Sequence, residues 1–377
     1  MTLDRIIKKS YFILLGILIL FLIQPHGGTW GYEYNLRWFY VFILGGALAY
    51  VLTPLLIHFG YKFNLLDHPN ERKVHKIPVP RIGGIAIYTA FMIAIIRNLQ
   101  FSKKFTGLII GATIIFVLGL FDDIKPVSAK ARIFFQLLAS TVVIMHGVHT
   151  TIVPDTYSFH YLADVIITLF WFVGILNAVN FLDGIDGLVT SFGAVCSLLF
   201  FVIALQTGQR YLAWMCIALA GVCLGFLHYN WHKAKIFLGD SGATLIGFLL
   251  AGFAVFGSWT RDNRVVGFAT PLLILSIPIF DMIYTTISRI RNGSVKSFKQ
   301  WLEYVGKDHF HHRLLKLGLS VRQSVRFIIL LNLCLGLSAL IIRQTDTQGS
   351  FILLLQATVI FIIVVLLMLA GRTVTED

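Results

Sequence analysis

Long apolar runs recur from one end of the chain to the other, and no other feature restricts its fold so severely. A helix needs roughly 20 mostly apolar residues to cross the hydrocarbon core of a bilayer. Twelve candidate segments can be marked: 10–24, 38–59, 82–97, 106–121, 131–147, 163–180, 187–205, 211–228, 241–258, 266–288, 324–343 and 351–370. The first is short for a span, so the count is eleven or twelve. Only 13% of the 377 residues are charged, against about 25% in soluble domains. The period-two alternation of a membrane β-barrel is missing. The pattern predicts an all-α polytopic membrane protein of 11–12 transmembrane helices.

With twelve spans, alternate loops fall on opposite sides. One set comprises residues 1–9, 60–81, 122–130, 181–186, 229–240, 289–323 and 371–377, and with the basic residues at the adjoining helix ends that side carries about 23 of the 31 Lys and Arg. The positive-inside rule makes that side cytoplasmic and leaves both termini inside. The net charge of +13 therefore reflects membrane topology, and no nucleic-acid partner is expected. The opening "MTLDRIIKKSYFILLGILILFLI" looks like a signal peptide without a cleavage site, so it reads as an uncleaved first helix. Cys196, Cys216, Cys223 and Cys334 all lie in apolar spans without CxxC spacing, which suits packing.

This topology gathers the unusual acids on one face. Asp122 and Asp123 close the fourth segment in "LGLFDDIKP"; Asp183 and Asp186 lie in "NAVNFLDGIDGL"; Asp240 opens the ninth in "KIFLGDSGATLIG". A carboxylate in apolar surroundings is costly unless paired, metal-bound or wet. Mg²⁺ takes oxygen ligands, typically one or two carboxylates with waters and substrate phosphates. Solvated loop acids are the plain alternative, but three clusters on one face argue for a joint task. Asp240 or Ser241 could also serve as a helix N-cap.

Two cytoplasmic loops supply cations. The stretch "LLDHPNERKVHKIPVPRIGG" carries Arg72, Lys73, His75, Lys76 and Arg81, and it can meet an anionic substrate or lipid headgroups. "GKDHFHHRLLKLG" holds His309, His311, His312 and Arg313. HxHH on one helix or strand does not bring three nitrogens onto one ion, so a diphosphate suits it better than zinc. Ser320 and Gln323 form a capping box before the eleventh segment. Asp281 lies inside the tenth segment, where an acid is a functional candidate by default. Pairing with a basic residue of a neighbouring helix would serve it equally.

Four ordered motifs, "LGLFDDIKPVSAKARIFFQLLA", "NAVNFLDGIDGLVTS", "KIFLGDSGATLIGF" and "GKDHFHHRLLKLG", resemble the polyprenyl-phosphate N-acetylhexosamine-1-phosphate transferases of the WecA/TagO type. The resemblance spans about residues 40–370. Residues 1–37 read as a helix added to the family core, 38–370 as one membrane domain and 371–377 as a short cytoplasmic tail. The resemblance implies transfer of GlcNAc-1-phosphate from UDP-GlcNAc to polyprenyl phosphate, releasing UMP, at the cytoplasmic face of a bacterial membrane. It implies Mg²⁺ (or Mn²⁺) as cofactor, with Asp240 and Asn180 as ligands. Asp122 and Asp123 match the catalytic pair; Asp183 and Asp186 match the nucleotide-binding element. His309, His311, His312, Arg313, Lys73 and His75 match the basic substrate-binding motifs. A homodimer among membrane lipids is the implied assembly.

Two other classes can be weighed on the residues. A UbiA-type prenyltransferase needs acids at helical spacing, as in DxxxD, whereas "DDIKP" lacks the third acid and "DGIDG" is broken by glycines. A transporter of anions or lipid-linked sugars would keep its polar residues near the bilayer midplane, whereas here all but Asp281 collect at one face.

Overall fold

The computed structural model describes residues 29–69, 77–100, 102–260, 264–297 and 308–373, with a few isolated positions outside these ranges. Nearly all of it is helix, interrupted by one two-stranded ribbon. After the short α1 (Thr29–Glu33) come α2 (Arg37–Lys62) and the antiparallel pair β1 (Leu66–Asp67) and β2 (Val79–Pro80). Then follow α3 (Gly83–Asn98), α4 (Lys103–Ile124), α5 (Ala129–Met145), α6 (His160–Leu182), α7 (Leu188–Gln206), α8 (Arg210–Asn230) and α9 (Gly239–Phe256). The chain continues through α10 (Arg264–Ile274), α11 (Ser276–Arg291), α12 (Phe310–Lys316), α13 (Val321–Ile342) and α14 (Thr347–Thr373).

Eleven of the twelve expected segments coincide with these helices. The remaining one, 10–24, lies largely outside the described residues; Tyr40 donates its hydroxyl to the carbonyl of Leu22 there. Among the described residues, eight helices are long and apolar enough to cross a membrane, or nine if α10 and α11 count together. The chain is an integral membrane protein.

Several helix starts follow from local sequence. Ser102 accepts from the Phe105 N–H at 3.4 Å to open α4, and Ser128 accepts from the Ala131 N–H at 3.3 Å to open α5. The capping box at Ser320 is formed in both directions.

One expectation needs correction. The tenth segment, read as continuous over 266–288, is two helices bent by 80° about Leu275. Pro278 has no N–H to give the Ile274 carbonyl and its ring crowds that carbonyl, so a straight helix cannot pass through this point. Asp281 consequently belongs to α11, a separate arm with Arg289 two turns further on. Both side chains are buried.

The interior of the bundle is built on α9, which packs against α4, α6, α3 and α7; α2 and α7 flank α8. Of the four cysteines, Cys196, Cys216 and Cys223 are buried as expected, whereas Cys334 is exposed on α13. Helix α9 thus enters the core with its N-terminal end, and Asp240, where the acid-bearing ends of α4 and α6 also finish.

Candidate active site

Adjacent residues on a helix point about 100° apart, so Asp122 and Asp123 cannot share a task of the same geometry. The structure divides them. Asp123, fully buried, turns inward to the start of α9. Its Oδ1 accepts from the Asp240 N–H at 2.7 Å, and its Oδ2 from the Ser241 N–H at 3.1 Å and the Ser241 hydroxyl at 2.5 Å. The free N–H groups and positive dipole end of α9 are thereby met by a carboxylate from another helix. The sequence suggested that Asp240 or Ser241 would cap α9; the N-cap is instead Leu238, and Asp123 supplies the acceptor.

The approach is possible because Gly119, one turn before Asp123, has no side chain. A Cβ there would lie 2.5 Å from the Ser241 Cα and 2.7 Å from its nitrogen.

Asp122 turns the other way. Its Oδ1 accepts from the Val127 N–H at 2.8 Å and from Arg132 Nη2 at 2.9 Å, and its Oδ2 lies 2.6 Å from Arg132 Nε. This carboxylate closes the turn from α4 to α5 and presents a cation, Arg132, that is 40% exposed.

Arg81 bridges the inward acids. Its Nη2 donates to Asp240 Oδ2 at 2.8 Å and its Nε lies 3.4 Å from Asp123 Oδ1. Burial alone would lower its pKa; Asp240 and Asp123 more than offset that and hold the guanidinium charged. It reaches the site because β2 leads directly into α3, whose first N–H groups, from Gly83 and Gly84, donate to the carbonyls of Phe237 and Leu238.

The loop after α6 completes this end of the bundle. Asp183 is pushed up to about 7, by dehydration among its neighbours and then by repulsion from Asp240, Asp123 and Asp186, with Arg81 opposing the acid pressure. Its own side chain is exposed, so the surrounding carboxylates are the stronger reason for that direction. Asp186 Oδ2 accepts from His232 Nδ1 at 2.8 Å and from the Ala234 N–H at 3.1 Å, tying this loop to the one between α8 and α9. Asn180 lies on the last turn of α6, half-buried, and its carbonyl accepts from the Asp183 N–H.

The histidine segment meets the same loop from the opposite side. Gly184 faces His311 so closely that a Cβ would lie 2.0 Å from Nε2. His311 is 1% exposed and neither ring nitrogen has a hydrogen-bond partner. Burial, then repulsion from His312 and His309, lowers its pKa well below the ordinary histidine value, so the ring is neutral. His312 packs on it at 4.2 Å between ring centroids. Arg313 is turned inward: Nε donates to the Asp308 carbonyl at 2.6 Å, and its guanidinium carbon lies 4.8 Å over the Tyr284 ring. Lys73 and His75 lie outside the described residues.

Carboxylates from α4, α9 and the α6–α7 loop thus surround one guanidinium at one end of an apolar bundle, which is an arrangement for handling phosphates and cations at a membrane surface. The sequence is similar to those of known proteins. Residues 105–258 match the family model described as glycosyl transferase family 4. A probable undecaprenyl-phosphate N-acetylglucosaminyl 1-phosphate transferase of Bacillus subtilis is 30% identical over 349 residues, 90% of this chain and 93% of that protein. The chain belongs to this family.

The decaprenyl-phosphate N-acetylglucosaminephosphotransferase of Mycobacterium leprae is 28% identical, over 76% of this chain and 79% of its own. The undecaprenyl-phosphate alpha-N-acetylglucosaminyl 1-phosphate transferase of Yersinia pestis is 29% identical, over 80% and 81% respectively.

The family region between 105 and 258 contains Asp122, Asp123, Asp183, Asp186 and Asp240, but Arg81 and the histidine segment lie outside it. Two participants escaped the sequence reading. Arg81 was one basic residue among five in its loop, and only its ion pairs single it out. His232 sits in "NWHKAKIF" with no motif around it, and its bond to Asp186 spans 46 residues.

Proposed function

We propose that this protein transfers N-acetylglucosamine-1-phosphate from UDP-GlcNAc to undecaprenyl or another polyprenyl phosphate, giving polyprenyl-diphosphate-GlcNAc and UMP. The work is done at the cytoplasmic face of a bacterial membrane. The observation that carries this reading is the meeting of Asp123, Asp183 and Asp240 around Arg81 at the end of the bundle, in a chain whose relatives bear such names.

The residues suit Mg²⁺. All the acids offer hard oxygen donors, and burial followed by repulsion from Asp240 raises the pKa of Asp183, with Arg81 opposing. Among the described residues, no three or more His, Cys, Asp or Glu side chains form a ready-made cage. Mg²⁺ typically uses one or two carboxylates and leaves its other positions to water and substrate phosphate. Asp240 and Asn180 would hold the ion, with Asp183 close enough to feel the charge of Asp240. When bound, it would neutralise charge on the donor diphosphate.

The protein's own task is then positioning and electrostatics, which dominate phosphoryl transfer. A phosphate monoester has its second pKa near 6, so the lipid phosphate is mostly dianionic at neutral pH and needs little help from a base. Asp122 acts by orienting Arg132 toward an incoming anion. Asp123 fixes the start of α9, and hence Asp240. Arg81 supplies positive charge between the acids. The polyprenyl tail stays in the lipid or between helices, which explains a site at a membrane surface.

The test is UMP release by purified protein with undecaprenyl phosphate and Mg²⁺, comparing UDP-GlcNAc, UDP-GalNAc and UDP-MurNAc-pentapeptide. Release with UDP-GlcNAc that stops on adding EDTA is expected. Release with another donor alone would reassign the sugar; none with any donor, from folded protein, would refute the transferase.

A further inference from the structure

Three histidines in four residues invite a common role, yet the structure treats the first quite differently from the second. His309 Nδ1 lies 2.9 Å from Asp281 Oδ2. Its Nε2 lies 3.3 Å from Arg289 Nη2. A carboxylate can only accept and a guanidinium can only donate. Nδ1 therefore carries the proton, Nε2 offers its lone pair, and the ring is neutral in one tautomer with both nitrogens engaged.

We propose that His309 is a positioning residue and not a ligand of the substrate: Asp281 and Arg289 of α11 lock its ring, and the locked ring seats α12 so that His311 presses on the loop at Gly184. This rests on the transferase reading above for its kinetic test only.

Further contacts make the lock rigid. Asp281, 1% exposed, also accepts from the Phe310 N–H at 2.7 Å and from Thr285 Oγ1 at 3.2 Å. Arg289 grips Asp308 with two hydrogen bonds of 2.7 Å, so residues 308, 309 and 310 are all fastened to α11. The His309 ring packs at 5.2 Å on Phe181, from the last turn of the helix that bears the Asp-Gly-Ile-Asp-Gly loop. Two residues on, His311 lies nearly parallel to His309, 6.2 Å away at 5°, with neither nitrogen bonded. One imidazole is spent on the fold and the other is kept available. Asp281, the buried acid without an obvious task, is what makes the difference.

The full-length protein in nanodiscs, carrying His309→Asn or His309→Ala, tests this. Asparagine places its side-chain N–H where Nδ1–H stood and keeps the bond to Asp281. It loses the bond from Arg289 and the ring packing on Phe181, together worth about ten-fold. His309→Asn should therefore keep UMP-releasing kcat/KM within about ten-fold of wild type. His309→Ala should lose about 100-fold, as expected when a reacting group shifts by about an ångström. Near-wild-type turnover in His309→Ala, or a His309→Asn protein as impaired as His309→Ala, overturns the assignment.

Imidazole nitrogen NMR of isotopically labelled wild-type protein gives a second reading that needs no turnover. His309, with its resonances identified by their loss in His309→Asn or His309→Ala, should show a protonated Nδ1 and a bare Nε2. A protonated Nε2, or a cationic ring, refutes the lock even if the enzyme proves active. The expected tautomer in a chain that releases no UMP would leave the lock standing and refute only the transferase reading.

Discussion

Helix α14 is the most apolar of the eight long spans, yet only 17% of its apolar window is enclosed by protein; α9 is the least apolar and 83% of its window is enclosed. In a soluble protein the order would be reversed. A bilayer removes the hydrophobic reward for burial, because lipid tails are as apolar as leucine, and leaves packing and polar satisfaction to choose what goes inside. Helix α14 can face lipid because it has little else to offer. Helix α9 must be inside, because Asp240, Ser241 and the unpaired N–H groups of its first turn need protein partners. Hydropathy in this chain therefore marks what crosses the membrane, and the weakest span marks where the acids of the candidate site gather.

The largest effect should come from removing charge at the start of α9. Asp240→Asn is expected to lower turnover by about 10³-fold or more while the purified protein stays folded and monodisperse in detergent. Near-normal UMP release from that variant would break the link between α9 and catalysis. Asp122→Asn should cost about 100-fold through loss of Arg132 orientation, with donor KM changed much less than kcat; an unaltered kcat would remove Asp122 from the site.

Packing offers a sharper version of the same contrast. Phe248 on α9 is fully buried, and Phe248→Ala should destabilise the protein by about 3–5 kcal/mol, chiefly through the cavity it leaves. Leu366 on α14 is 59% exposed, and Leu366→Ala should change stability by less than about 0.5 kcal/mol. Reversible unfolding in mixed micelles measures both. Equal losses would mean that α14 is covered by protein in the native assembly, as a homodimer would require.

The smallest effects are pH responses of opposite sign. Asp183 has its folded-state pKa raised to about 7 from an ordinary 3.9 or so. The folded state favours its protonated form, so that contribution is full below about pH 4 and is lost as pH rises to about 7. In EDTA, wild-type protein should therefore lose thermal stability relative to Asp183→Asn over that window, and Mg²⁺ should restore it. Asp308 behaves inversely. Partial burial would raise its pKa, but the hydrogen bonds and charge of Arg289 outweigh that and hold it below the ordinary range. Its contribution is present above about pH 4 and is lost as pH falls further. Proteolysis of the segment before α12 should accelerate in acid for wild type, and much less for Asp308→Asn. A common sign for both acids would show that the two regions are not electrostatically distinct.

Much of this was legible in the chain. Eleven segments became helices because their apolar length is a local property, and helix starts at Ser102, Ser128 and Ser320 use partners three residues away. Alternation of loops across the membrane was enough to bring Asp123, Asp183 and Asp240 to one end. The break at Leu275 was written in Pro278, although length and apolarity alone concealed it.

Tertiary structure decided the rest, because the deciding contacts join distant residues with short side chains and strict directions. The bond between Asp123 and the α9 backbone spans 117 residues, and the ion pair of Arg81 with Asp240 spans 159. No periodicity reports such a meeting. Nor could composition say which neighbour in a pair would turn inward: Asp122 and Asp123 have the same chemistry, as do His309 and His311. Sequence supplied the groups and the face of the membrane they share. Packing around α9 and α11 determined which of them are spent on holding the fold and which stand free to act, since a buried carboxylate or imidazole takes its role from the donors and acceptors placed around it.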